Sequence, residues 1–187
     1  MEMKKRILVV LMVVVLISGC GQAAKLKPDA FLDRDMCIES IHERGTNICF
    51  GMSRTEVESI LGPGEGDDIE QRYDAATIYY RNDKIVGIQL TEEFWFQTPR
   101  GIHVGSTKEE AEERYGSRYM HPATPNGMLY SFYQFNNNPL GLQAIKSKKS
   151  DEEMEGIYEI WIMVDKQDVV NNIKLLDERL SVEMWYW

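Results

Sequence analysis

Ile48-Cys49-Phe50-Gly51-Met52-Ser53-Arg54-Thr55-Glu56-Val57-Glu58-Ser59-Ile60-Leu61-Gly62 decides the fold, because the chain writes it twice. Ile102-His103-Val104-Gly105-Ser106-Thr107-Lys108-Glu109-Glu110-Ala111-Glu112-Glu113-Arg114-Tyr115-Gly116 lies over it at an offset of 54 residues, without a gap. The same offset carries Tyr79 onto Tyr133, Asn82 onto Asn136, Gly87 onto Gly141 and Gln89 onto Gln143. One offset that holds across both a helix signal and a hairpin signal reads as a duplicated unit.

Each copy states its own structure. Ser53 and Thr107 are N-cap residues, and Glu56 and Glu110 three positions later complete capping boxes. Met52 and Val57 can form a hydrophobic staple. Val57, Ile60 and Leu61 mark a buried helical face, echoed more weakly by Ala111 and Tyr115. Gly62 and Gly116 stand where a left-handed residue ends each helix, and Pro63 forbids continuation of the first. Hairpins follow: 77–81 with 85–90 around Asn82-Asp83-Lys84, and 131–135 with 140–145 around Asn136-Asn137-Asn138. A third strand is expected in each copy, near 93–97 and 157–164, with 146–156 as a charged, solvated insert. Val169, Ile173, Leu176 and Leu180 predict a C-terminal helix, followed by a short strand or tail. Between the tether and the first copy, a helix over 30–41 is the weakest expectation.

Outward from the repeat, the N-terminus reads as an export signal. Lys4, Lys5 and Arg6 precede an unbroken apolar run, 7–17, which is too short to span a bilayer comfortably. Ile17-Ser18-Gly19-Cys20 resembles the bacterial lipobox, and that resemblance implies a diacylglycerol on Cys20, which becomes the first mature residue. Two acyl chains suffice for stable membrane attachment. The alternatives are an ordinary signal peptide or a single anchoring helix. The resulting organisation is a signal peptide at 1–19, a lipid-anchored tether at 20–47, units at 48–101 and 102–165, and a C-terminal segment at 166–187. The expected location is extracytoplasmic, on the cell membrane, or on the outer membrane of a Gram-negative envelope. The formal net charge is −9. Losing the signal removes three positive side chains and one negative, so the mature chain is more acidic still. With no basic stripe, nucleic acid is excluded as a partner.

Cys37 and Cys49 remain after processing. An oxidising compartment favours a disulfide, which would contribute about 3 kcal/mol in the chain-entropy model. The alternative is two buried thiols. The spacing lacks a zinc pattern, so no metal is expected.

Gly51-Met52-Ser53, Val57 and Leu61-Gly62-Pro63, followed by a hairpin, resemble the small envelope lipoproteins of the SmpA/OmlA type. A tandem pair of such units resembles the β-lactamase-inhibitor-protein-like fold. The resemblance covers roughly 48–165. It implies an α+β fold with two helix-plus-antiparallel-hairpin units sharing one sheet, and helices on one face. It also implies protein binding, either in envelope assembly or in enzyme inhibition. No contact residues of either branch carry over.

Nothing in the sequence calls for an enzyme or a cofactor. No nucleophile elbow, zinc-protease motif, Walker loop or dinucleotide fingerprint occurs. His42, His103 and His121 are scattered, and Gly62-Pro63-Gly64-Glu65-Gly66 follows a helix instead of opening one. Strand parity is more informative. Ile78, Tyr80, Val86, Ile88 and Leu90 are assigned to the core, with Phe132, Leu140, Leu142, Ile160, Ile162 and Val164. The opposite face then carries Tyr79, Arg81, Gln89, Tyr133, Phe135, Gln143, Trp161 and Met163. A sheet covered on one side should show polar residues on the other. Aromatics there point to a partner-binding face, unless the C-terminal segment covers it. The leading expectation is an envelope module that binds an envelope or secreted protein. A structural assembly lipoprotein without a discrete ligand is the runner-up, and a small-molecule sensor or enzyme using the inter-unit cleft comes third.

Overall fold

The computed structural model describes residues 26–124, 126–141 and 147–185. Cys20 and Gln143 lie outside them, as do the core candidate Leu142 and residue 145. Both capped helices form where the sequence predicts them. Helix α1, Arg54–Leu61, is capped by Ser53, whose side chain accepts from the Glu56 amide, and the reciprocal bond completes the box. Helix α2, Lys108–Tyr115, repeats this with Thr107 and Glu110. Such caps contribute about 1 kcal/mol each. Gly62 and Gly116 end the helices at φ 79° and 89°, where a side chain would be strained.

Two antiparallel sheets are built from the strands. The small one runs β2-β1-β7, with β1 Cys37–Ser40, β2 Asn47–Cys49 and β7 Phe96–Gln97. The large one has eight strands among the described residues, in the order β3-β4-β5-β6-β11-β10-β9-β8. These are β3 Glu65–Gly66, β4 Glu70–Tyr73, β5 Ala76–Arg81, β6 Lys84–Leu90, β8 His121–Thr124, β9 Gly127–Tyr133, β10 Ile157–Val164 and β11 Val170–Asp177. Helix α3, Asp151–Glu155, precedes β10, and α4, Glu178–Trp185, closes the described chain.

One face of the large sheet carries the main core. Val57 of α1 and Ala111 and Tyr115 of α2 pack there on Ile78, Tyr80, Ile88, Phe132, Ile160 and Ile173, with Ile38, Ile48 and Phe96 of the small sheet. Parity therefore assigned most inward residues as found. Val86 is the exception: the register shifts between Tyr79 and Tyr80, so Ile85 turns inward and Val86 outward. Below the core, Arg100 is fully buried. It donates to both Asp35 carboxylate oxygens (2.7 and 2.8 Å) and to the Lys27, Ala30 and Arg114 carbonyls, fastening the N-terminal segment to the end of α2.

Several expectations are corrected. The C-terminal segment is not one helix: Val170–Asp177 is a central strand, and the helix begins only at Glu178. Helices are not confined to one face, because α4 packs on the side opposite α1 and α2 through Leu180 and Met184. Phe96–Gln97 pairs with β1 instead of extending the large sheet. Over 30–41 there is a 3₁₀ turn at Asp33–Met36 and then β1, not a helix. After β9 the chain does turn back, with Leu140 N–H donating to the Ser131 carbonyl, but β9 pairs along its length with β10. Cys37 and Cys49 face each other across β1 and β2 and form a disulfide.

Candidate functional site

The sheet face that parity picked out is closed at its centre. Tyr79 and Trp161 are 8% and 9% exposed and pack with Leu129 and Leu176 against Leu180 of α4. Gly87 makes the contact possible, since a Cβ there would meet Leu180 Cδ2 at 2.4 Å. Polar groups complete the cover. Asp177 accepts from the Leu180 amide at the start of α4 and binds Arg81 at 2.6 Å. Arg179 holds Glu155 at 2.6 Å, and Lys149 holds Glu178 at 2.7 Å. Beneath them Glu159 accepts from Trp161 Nε1 at 2.8 Å and is almost fully buried. Burial pushes its carboxyl above the usual range, outweighing the bonds from Ser181 and Trp161.

Nor do the other expected face residues form one patch. Along the rung Tyr79, Gly87, Leu176, Glu159 and Ser131, Tyr79 stands four strands from β9, roughly 19 Å at ordinary strand spacing. Tyr133 touches only Phe135 among aromatic rings of the described residues, at 5.5 Å, and Phe135 is 79% exposed. Gln89 accepts from the Tyr79 hydroxyl, and Met163 is half-buried. Beside α4 a groove of about 270 Å³ remains, floored by Ile69, Tyr79, Leu180 and Met184. Its carboxylates are already engaged: Glu70 by Arg72 at 2.8 Å, Glu183 by Arg179 at 3.0 Å, and Asp67 by the amides of Ile69 and Glu70.

A second surface was not anticipated. Phe94 and Trp95 are 63% and 52% exposed, and Ile41 and Ile60 beside them are also open. Trp95 and Ile60 line a cleft of about 230 Å³ whose walls also include Leu61 at the end of α1, Tyr73 and Phe96. The third wall is the β1–β2 connection, with His42 and Glu43. That connection is locally fixed. Ser40 Oγ accepts from the amides of His42 and Glu43, Ser40 N–H donates to the Thr46 carbonyl, and the disulfide ties the strands at their other end. Ile41 N–H donates to the Trp95 carbonyl at 3.0 Å, and the His42 and Trp95 rings meet edge-on at 5.8 Å. Phe94 is held at φ +68°, a conformation costly for an aromatic residue and found where surroundings impose it. The signal in the sequence was Phe94-Trp95-Phe96 itself, in which strand alternation hides which rings are outward.

Among the described residues no group of histidine, cysteine and acidic side chains has the arrangement of a metal site, and no helix is long and apolar enough to cross a membrane. No family model and no curated protein matches the chain. Among solved structures it is similar to a DUF4309 family protein, YjgB, from Bacillus subtilis subsp. subtilis str. 168. That likeness has 15% identity and a TM-score of 0.38 and covers 67% of this chain and 78% of that one.

Proposed function

We propose that this chain is a lipid-anchored, extracytoplasmic module of the cell envelope, built from two related helix-plus-sheet units, that binds another envelope or secreted protein. The cleft beside the small sheet is its recognition surface, and the covered sheet face is not. The observation that carries this reading is the cluster of open Phe94, Trp95, Ile41 and Ile60 on a disulfide-braced scaffold. Exposed large apolar groups gathered in one place mark interaction sites, and aromatic residues dominate the energetics of such sites. The acidic charge favours no nucleic acid, and the lipobox-like 17–20 string supports the anchor.

Two experiments test the reading. A photoreactive amino acid at position 95 should cross-link one discrete envelope protein in living cells, whereas the same probe at position 135 should not. Loss of selectivity between these positions would reject the assigned surface. For the anchor, Cys20→Ala should abolish incorporation of labelled fatty acid, and unchanged labelling would reject lipidation.

A further inference from the structure

We propose that the cleft receives a cationic side chain, a lysine or arginine, presented between apolar residues of the partner protein. This deepens the reading above and rests on it. The cleft's aromatic lining comes from Tyr73, Trp95 and Phe96, and its charged lining from Glu43 and Asp74. No lysine or arginine among the described residues lines it. Glu43 has one long bond from the Thr46 hydroxyl, at 3.4 Å, and no ion pair is formed by Glu43 or Asp74 among the described residues. The groove beside α4 differs on this point, since each of its carboxylates already has an internal partner.

Aromatic faces attract cations through the ring quadrupole, and carboxylates that form no internal ion pair add direct Coulomb attraction. The size of the cleft, about 230 Å³, is below that of ordinary cofactor and drug-sized pockets and suits one extended side chain. Ile60 in its wall would meet an apolar neighbour of that side chain and help exclude water around the charge.

The test uses the full chain and two dye-labelled nonapeptides, identical in their leucine-rich flanks. One has lysine at its centre and the other norleucine, which has nearly the same stem without the charge. Fluorescence anisotropy should show the lysine peptide bound roughly tenfold more tightly, with that preference shrinking as salt is raised. A double variant, Glu43→Gln with Asp74→Asn, should lose the preference while unfolding at the same temperature, because both side chains are exposed. Equal binding of the two peptides overturns the cationic specificity and leaves protein recognition at Trp95 intact. Persistence of the preference in the double variant, or binding of neither peptide, also overturns it. Failure of the wider reading is separate: it is the absence of a discrete partner cross-linked from position 95.

Discussion

The two faces of the large sheet show opposite uses of aromatic residues, and the small sheet shows a third. On the core face Tyr80, Tyr130 and Phe132 are sealed by α1, α2 and the small sheet. On the other face Tyr79 and Trp161 look from parity like a recognition surface, yet α4 sits on them. Beside the small sheet Phe94 and Trp95 stay open. Composition alone therefore does not separate a binding face from a second, smaller core. What separates them is whether some other segment has the apolar residues and the steric permission to lie across. Leu180 and Met184 supply the first, and Gly87 supplies the second.

If α4 and the sheet form a true second core, Trp161 is part of it. Trp161→Ala should lower stability by about 3–5 kcal/mol, the usual result of emptying a large buried site. Urea unfolding measures this. A loss below about 1 kcal/mol would return Trp161 to the surface and restore the open-face reading.

Gly87→Ala addresses the steric permission directly. The added methyl would overlap Leu180 Cδ2, so α4 must shift or its core loosen, at a cost of about 1–3 kcal/mol. Proteolysis should then cut the C-terminal helix first. An unchanged melting temperature and digestion pattern would mean that α4 is not closely seated.

The polar layer beneath α4 gives a pH signature. Glu159 binds its proton more tightly in the folded chain than in the unfolded one, because burial disfavours its charge. Its contribution is therefore fully present below the unfolded carboxylate value. It is lost as pH rises through the raised folded value. Glu159→Gln keeps an acceptor for Trp161 and removes the charge, so its stability relative to the parent should grow as pH rises from the unfolded carboxylate value towards the raised folded one. Asp177 and Glu178 are also raised by burial, and Glu178, whose charge acts on Glu159, titrates together with it, so the difference reports the coupled pair. A difference that does not vary with pH would show that Glu159 is not desolvated.

Legibility in the sequence followed the range of the interactions. The caps of α1 and α2, their glycine stops, the β5–β6 hairpin and the Cys37–Cys49 pair depend on close neighbours, and all were readable. β11 was not. Val169, Ile173, Leu176 and Leu180 fit a helical stripe, but the buried set Val170, Ile173, Leu175 and Leu176 belongs to a strand covered on both faces, which blurs alternation. That error hid the cover as well, because α4 reaches the sheet only when β11 lies in its centre. Arg100 was unreadable for a similar reason: its partners at 27, 30 and 35 come from a segment without periodicity. At the cleft, Phe94-Trp95-Phe96 was visible as a strand, but β7 pairs over only two residues, so its preceding rings escape the sheet.

The smallest expected effect on stability belongs to the surface with the largest expected effect on binding. Phe94 and Trp95 each expose more than half of their surface, so truncating both removes little buried apolar area. Surface substitutions outside special features stay within about 0.5 kcal/mol, and relief of the positive φ at Phe94 is not available to alanine either. Phe94→Ala with Trp95→Ala should therefore leave the urea midpoint nearly unchanged. An aromatic anchor at the centre of an interface is worth about 2 kcal/mol or more, roughly thirty-fold in affinity. Capture of the partner cross-linked from position 95 should accordingly disappear, while Phe135→Ala, which removes another open ring, should leave capture intact. Should the double variant unfold early instead, the rings would belong to a third core, and the contrast between sealed and open aromatics would collapse. With the fold retained and capture undiminished, the contrast would stand as structure, and the cleft would lose its role.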